Sequence, residues 1–160
     1  MKFGRQTALT AIVILATAML QTACSSPTNA DGQERALPRA PAVLKVTMAD
    51  FYFVHPNRAP AGRVVFEINN AGRFVHQLTI YRMAEDSIPF KQQFRKTAYP
   101  VEVPIENMPA LRPDESGSFA VDLVAGARYG MASLLFGPDG TNDAQNGMSS
   151  EFRAGGRATG

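Results

Sequence analysis

Along most of this chain, apolar side chains recur at every second position. Leu44, Val46 and Met48 alternate with Lys45 and Thr47, and Val64, Phe66 and Ile68 alternate across Glu67. Leu78 and Ile80 alternate with Thr79 and Tyr81, and Phe119, Val121 and Leu123 with Ala120 and Asp122. Tyr129 and Met131 share a face, and residues 148–153 make a short last run. Period two is the signature of strands with one face on a core. Turn signals separate the runs: Pro60-Ala61-Gly62, Asn69-Asn70-Ala71-Gly72, Asp114-Glu115-Ser116-Gly117 and Ala125-Gly126. Short strands so punctuated predict an all-β, Greek-key sandwich or barrel.

One segment breaks the rhythm. Ser87 is an N-cap type of residue, Pro89 follows in the first turn, and Phe90 and Phe94 stand at i and i+4. A short helix over residues 87–97 is predicted within a long connection. Its phenylalanines would cover a satellite hydrophobic contact and leave Lys91, Arg95 and Lys96 solvated; contact with anionic lipid is the alternative. The pattern assigns no role to the rest of the 83–110 connection.

The N-terminus has a different character. Lys2 and Arg5 precede an uncharged stretch over residues 7–20, shorter than the roughly 20 apolar residues a spanning helix needs. A basic start, an apolar middle and small residues before a cut site read as a signal peptide, residues 1–23. Thr22-Ala23-Cys24 resembles the end of a bacterial lipobox, with Gln21 departing from its usual leucine. Cys24 is the only cysteine, and a lone reactive thiol is unusual in an exported chain. Lipidation of Cys24 is therefore expected; ordinary cleavage leaving a free thiol is the alternative. Residues 24–42, rich in Ser, Pro, Ala and charge, read as the lipidated terminus and a flexible linker. Residues 43–154 form the domain, and 155–160 a disordered tail. The expected place is outside the cytoplasm, anchored by lipid to the cell membrane or the outer membrane.

Charge narrows the partners. The chain has 16 Lys+Arg against 14 Asp+Glu, and the two basic residues of the leader account for the excess. The mature chain is thus balanced and offers no argument for nucleic acid. The expected partners are the membrane, through the lipid, and a protein of the cell envelope. No Gly-x-Ser-x-Gly elbow, phosphate loop or His-Glu-x-x-His is present, so an enzyme is not expected. Asp139, Thr141 and Asp143 faintly suggest a calcium loop, but an EF-hand would need Gly and Glu where Ala144 and Ser150 stand.

Several motifs, in order, resemble the cupredoxin family of plastocyanin-like and azurin-like electron carriers. They are Phe51-Tyr52-Phe53 with Pro56, Pro60-Ala61-Gly62, and Asn70-Ala71-Gly72-Arg73-Phe74-Val75-His76. Leu111 to Ser116, Val124-Ala125-Gly126-Ala127-Arg128-Tyr129, Pro138-Asp139-Gly140 and Gly147 to Phe152 follow. The resemblance implies a cupredoxin-like β-sandwich and, at its loop end, a copper site of two His, one Cys and an axial Met. Laid on this chain, the first histidine is His76 and the methionine is Met148, but Ser133 stands at the cysteine position and Asp143 at the second histidine. The other histidine, His55, reads as a surface turn residue. A type 1 centre is not expected.

Two functions remain. One is a membrane-anchored binding or scaffold module without a cofactor, meeting its partner at the loop end near Phe136-Gly137-Pro138. The other is a non-blue copper protein, in metal handling or electron transfer, using His76, Asp143 and Met148. Convergence of those three to about 2–2.5 Å around an ion would mark the metal site. Bonding of His76 to backbone, with Asp143 in solvent, would mark packing alone.

Overall fold

The computed structural model describes residues 40–155. The segment expected to be a signal peptide, Cys24, nearly all of the expected linker and most of the expected tail lie outside the described residues. Among the described residues nine strands form two sheets. They are β1 (Ala42–Ala49), β2 (Tyr52–Val54), β3 (Arg58–Ala59), β4 (Gly62–Asn70), β5 (His76–Met83), β6 (Pro104–Leu111), β7 (Ser116–Leu123), β8 (Arg128–Ala132) and β9 (Ser149–Ala154). One sheet runs β2-β1-β4-β7 and the other β3-β9-β8-β5-β6. β1 pairs parallel to β4, and β3 parallel to β9; the other pairings are antiparallel. The chain crosses between sheets after β2, β3, β4, β6 and β7, which makes the predicted all-β sandwich.

The period-two residues meet between the sheets. Leu44, Val46, Met48, Val64, Phe66 and Ile68 from one sheet pack on Leu78, Ile80, Tyr129, Met131 and Phe152 from the other. Phe66 stacks on Phe119 at 5.3 Å, and Tyr129 on Phe152 at 5.3 Å. The Tyr129 hydroxyl accepts from the Val124 N–H at 2.8 Å, so its polar tip is satisfied at the edge of an apolar ring.

β5 and β8 are covered on both faces, which alternation alone does not reveal. Tyr81, Met83 and Ala132 point away from the main core into a second cluster with Phe90, Phe94 and Ala144. This is the satellite contact expected of the connection. The helix itself, α1 (Phe90–Gln93), is shorter than predicted: Pro89 takes the N-cap position and Ser87 does not cap it. The Ser87 carbonyl instead accepts from Arg128, which also bonds the Ala84 and Glu85 carbonyls and pairs with Glu151 at 3.0 Å. Glu151 in turn accepts from the Phe90 N–H. β6 is an edge strand with prolines at 104 and 109 and only Met108 buried, a composition tolerated at an edge and invisible to a search for alternation.

Gly130 marks how closely the connection sits on the sheet. A Cβ at this position would lie 2.7 Å from the Phe90 ring. Gly130→Ala is expected to destabilise the domain by about 1–3 kcal/mol by forcing Phe90 off β8, read as a lower denaturant midpoint. An unchanged midpoint would show that the connection is not packed against the sheet in this way.

Candidate functional site

The loop end of the sandwich gathers three segments: the β1–β2 turn, residues 71–76 leading into β5, and residues 133–148 between β8 and β9. Asn70, fully buried, shapes the second segment. Its Nδ2 donates to the Phe74 and Leu111 carbonyls, and its Oδ1 accepts from the Gly72 N–H at 2.9 Å. The segment so held delivers His76 to the first position of β5. There it shares strand parity with Leu78 and Ile80, and all three are fully buried.

The third segment is folded upon itself. The Asp143 N–H donates to the Leu135 carbonyl, Ala144 N–H to Ser133, and Met148 N–H to the Asp143 carbonyl, all at 2.8–2.9 Å. Gly147 makes the last bend at φ +114°, a conformation open to glycine and strained for other residues. Asn142 is fully buried and donates to the Ala98 carbonyl, tying this segment to the connection. Asp143, which the sequence alone would place in a solvated turn, is thus buried. Asp139 bonds the N–H and the hydroxyl of Thr141 through its two oxygens, which lowers its pKa, so these two residues of the alternating set serve the loop itself.

His76, Ser133 and Asp143 meet directly. Asp143 Oδ2 accepts from His76 Nδ1 at 2.8 Å and from the Ser133 hydroxyl at 2.6 Å, and Ser133 Oγ accepts from the Gln77 N–H at 3.2 Å. The other ring nitrogen, Nε2, faces Asp50 Oδ1 at 3.4 Å. Carboxylates only accept, so the proton on Nδ1 is assigned by Asp143, and a second proton on Nε2 is favoured by Asp50. Burial pulls the His76 pKa down, but the hydrogen bond and charge of Asp143, and then those of Asp50, outweigh it and raise the pKa above 6.5. Asp50 is itself held at about 2, chiefly by Arg73, whose Nε donates to Oδ2 at 2.8 Å and whose N–H donates to Oδ1. Met148 enters differently: its carbonyl accepts from the Ser133 N–H at 3.2 Å, while its side chain belongs to the main apolar core.

Sequence reasoning missed Asp50. Nothing marked it beyond its place before Phe51, and its partners lie 23 and 26 positions away. Phe51 has a left-handed backbone, φ 67°, which is strained for a phenylalanine, and its ring meets the edge of His76 at 6.4 Å. His55 also differs from the expected surface turn residue. It is half-buried, Nδ1 donates to the Pro56 carbonyl, Nε2 accepts from Ser150 at 2.6 Å, and burial lowers its pKa.

Over the network lies a cleft of about 470 Å³. Phe51, Phe74, Val75, Phe136 and Pro138 line it with Asp139 and Asp143. Of its bulky apolar lining, Phe51, Phe74, Val75 and Phe136 are exposed and Leu135 is half-buried, so Phe136 is not tucked inward.

Among solved structures, reduced auracyanin from Roseiflexus castenholzii matches with a TM-score of 0.52 and 14% identity, covering 72% of this chain and 98% of that one. The domain has a cupredoxin-like fold. Auracyanin A from Chloroflexus aurantiacus, a "blue" copper protein, is 12% identical over 72% of this chain and 99% of its own, at a TM-score of 0.49. Rusticyanin from Thiobacillus ferrooxidans is 15% identical over 72% and 79%, also at 0.49. No family model and no curated protein matches the chain.

The cupredoxin-like domain does not fit type 1 copper. That centre needs a thiolate and two imidazoles with lone pairs aimed at one point. Here a serine hydroxyl replaces the thiolate and gives its proton to Asp143, and both nitrogens of the one imidazole face carboxylates. Among the described residues no group of three or more His, Cys, Asp or Glu could hold a metal ion. The geometry suits retention of a proton, with the charge of His76 spread between two carboxylates.

That proton makes stability depend on pH. The raised His76 pKa contributes stability that is fully present below 6.5 and is lost as pH rises through the folded value. Asp50 contributes above 3.8, a share lost as pH falls toward about 2. His55 acts in the opposite sense to His76 but only below 6.5, where its lowered pKa penalises protonation. The fall in denaturant midpoint above pH 6.5 is therefore expected to report His76, and His76→Gln should flatten it. Asp143→Ala, which strips the buried imidazole of its shorter bond, should cost about 3–5 kcal/mol. A midpoint that stays level above pH 6.5 in the parent chain would refute the ion pair.

Proposed function

We propose that the chain is a membrane-anchored extracytoplasmic binding module of the cell envelope, with its partner held at the loop end. The observation that carries this reading is the exposed aromatic cleft directly above a polar network whose donors and acceptors are already paired with one another. Groups so committed position a surface better than they perform chemistry. An exposed apolar patch rimmed by polar groups is the mark of an interaction site. The exposed carboxylate of Asp139 among the phenylalanines favours a protein segment that brings an apolar side chain next to a basic one.

A photo-crosslinking residue in place of Phe136, in the full chain in its own cells, tests the reading. One discrete protein adduct is expected from position 136, lost when Phe74→Asp is added and absent from position 63 on the other sheet. No adduct, or the same adducts from both positions, would sink it. Copper titration of the full chain carrying Cys24→Ser addresses the competing function. Sub-micromolar affinity that disappears with His76→Ala would replace the binding module with a copper-handling protein. Anchoring is read separately, by incorporation of a labelled fatty acid that Cys24→Ala should abolish.

A further inference from the structure

The connection between β5 and β6 carries exposed apolar residues that the core does not use. Val101 is 84% exposed, Val103 73%, Tyr99 59% and Ile88 56%. Single exposed apolar residues are ordinary, but four bulky ones within sixteen positions of one connection form a feature that calls for a partner. Ile88 and Val101 face one another across a groove of about 420 Å³, which Arg95 and Lys96 also line. Its shape is built rather than incidental. Gln93 is buried beneath it; its Nε2 donates to the Ile88 carbonyl at 3.5 Å and its Oε1 accepts from the Val101 N–H at 3.1 Å, joining the two walls.

Charge selects the occupant. Lys91, Arg95 and Lys96 are exposed and make no ion pair among the described residues. Of the acidic residues near them in sequence, Glu85 pairs with Arg153 at 3.1 Å, and both oxygens of Glu102 are shielded from solvent. Asp86 remains as the exposed carboxylate nearest Ile88 in sequence. Unpaired Arg95 and Lys96 beside the protruding Ile88 and Val101 match the two layers of a bilayer surface, anionic headgroups over acyl chains.

We propose that this face of the connection, centred on the Ile88–Val101 groove, rests on an anionic lipid surface, with Val101 and Val103 entering the acyl boundary and Lys91, Arg95 and Lys96 meeting headgroup phosphates. The membrane anchor proposed above brings the surface within reach, but contact of the domain is a separate event. Docking of this face fixes the orientation of the domain at the membrane.

The test uses the full chain with Cys24→Ser, so that no acyl chain contributes, and one nitroxide label at Val103→Cys or, as control, at Arg63→Cys. Each is mixed with vesicles of phosphatidylcholine alone or with phosphatidylglycerol added. Oxygen accessibility of the label is expected to rise at 103 and not at 63, and only on the anionic vesicles. Joint Lys91→Glu, Arg95→Glu and Lys96→Glu, all at exposed positions, should weaken that contact by about a hundredfold or more. A label at 103 that stays aqueous on anionic vesicles, or responds as 63 does, overturns the proposal. So does immobilisation of 103 by an envelope protein fraction without lipid, which would make the face a protein interface. Fatty-acid labelling at Cys24 reports the anchor independently, so failure of either claim can be told from failure of the other.

Discussion

The loop end depends on one buried imidazole lying between two carboxylates. His76 comes from the start of β5, Asp143 from the segment before β9, and Asp50 from the β1–β2 turn. A buried charge is costly unless paired, and a paired one is costly to break. The arrangement therefore converts a local liability into a constraint on three segments at once. Asp50 passes the constraint outward to Arg73, whose guanidinium lies 5.6 Å from the Phe74 ring on the rim of the cleft. The position of the exposed aromatics is thus coupled to the protonation of a residue that solvent does not reach.

The connection between β5 and β6 has the second structural role. By placing Phe90 and Phe94 against Tyr81, Met83 and Ala132, it gives the second sheet a core on its outer face. Arg128 and Glu151 hold its first part from the two strands it covers, and Asn142 meets its far part at Ala98. Tyr99 then reaches Phe136 at 6.3 Å, so the connection borders the loop-end cleft. The two exposed apolar surfaces of the domain are joined at that contact, yet each has its own charge: carboxylates line the cleft and cations line the groove. A single partner chemistry would not satisfy both.

Much of the fold was legible because its core strands obey the simplest rule of sheet burial. Leu44 to Met48 and Val64 to Ile68 alternate since one face of their sheet meets water. Where that condition fails, so does the signal. β8 reads as Tyr129 and Met131 on one face, although Gly130 and Ala132 are also buried, because the glycine leaves room for the Phe90 ring. β6 was not visible, since prolines and polar residues on a solvated edge carry no period. The site was legible in part. The resemblance placed His76, Ser133 and Asp143 in register with one another, and the structure joins them by hydrogen bonds. It could not supply Asp50, since a carboxylate that meets its partners only through tertiary folding leaves no local pattern. Nor could it show that Asp143 is buried, because the polar residues around it bond one another rather than water.

The same backbone that brings metal ligands together in blue copper proteins can be closed by hydrogen bonds alone, provided that every substitution is matched. Replacing a thiolate by serine adds a donor that needs an acceptor, and replacing an imidazole by aspartate supplies it. The remaining histidine then meets a carboxylate at each ring nitrogen, and its pKa is raised above the ordinary value. Each change alone would leave a buried polar group unpaired, at a cost of about 1–3 kcal/mol or more if charged. Together they satisfy one another. Ser133, Asp143 and His76 are therefore best understood as one unit.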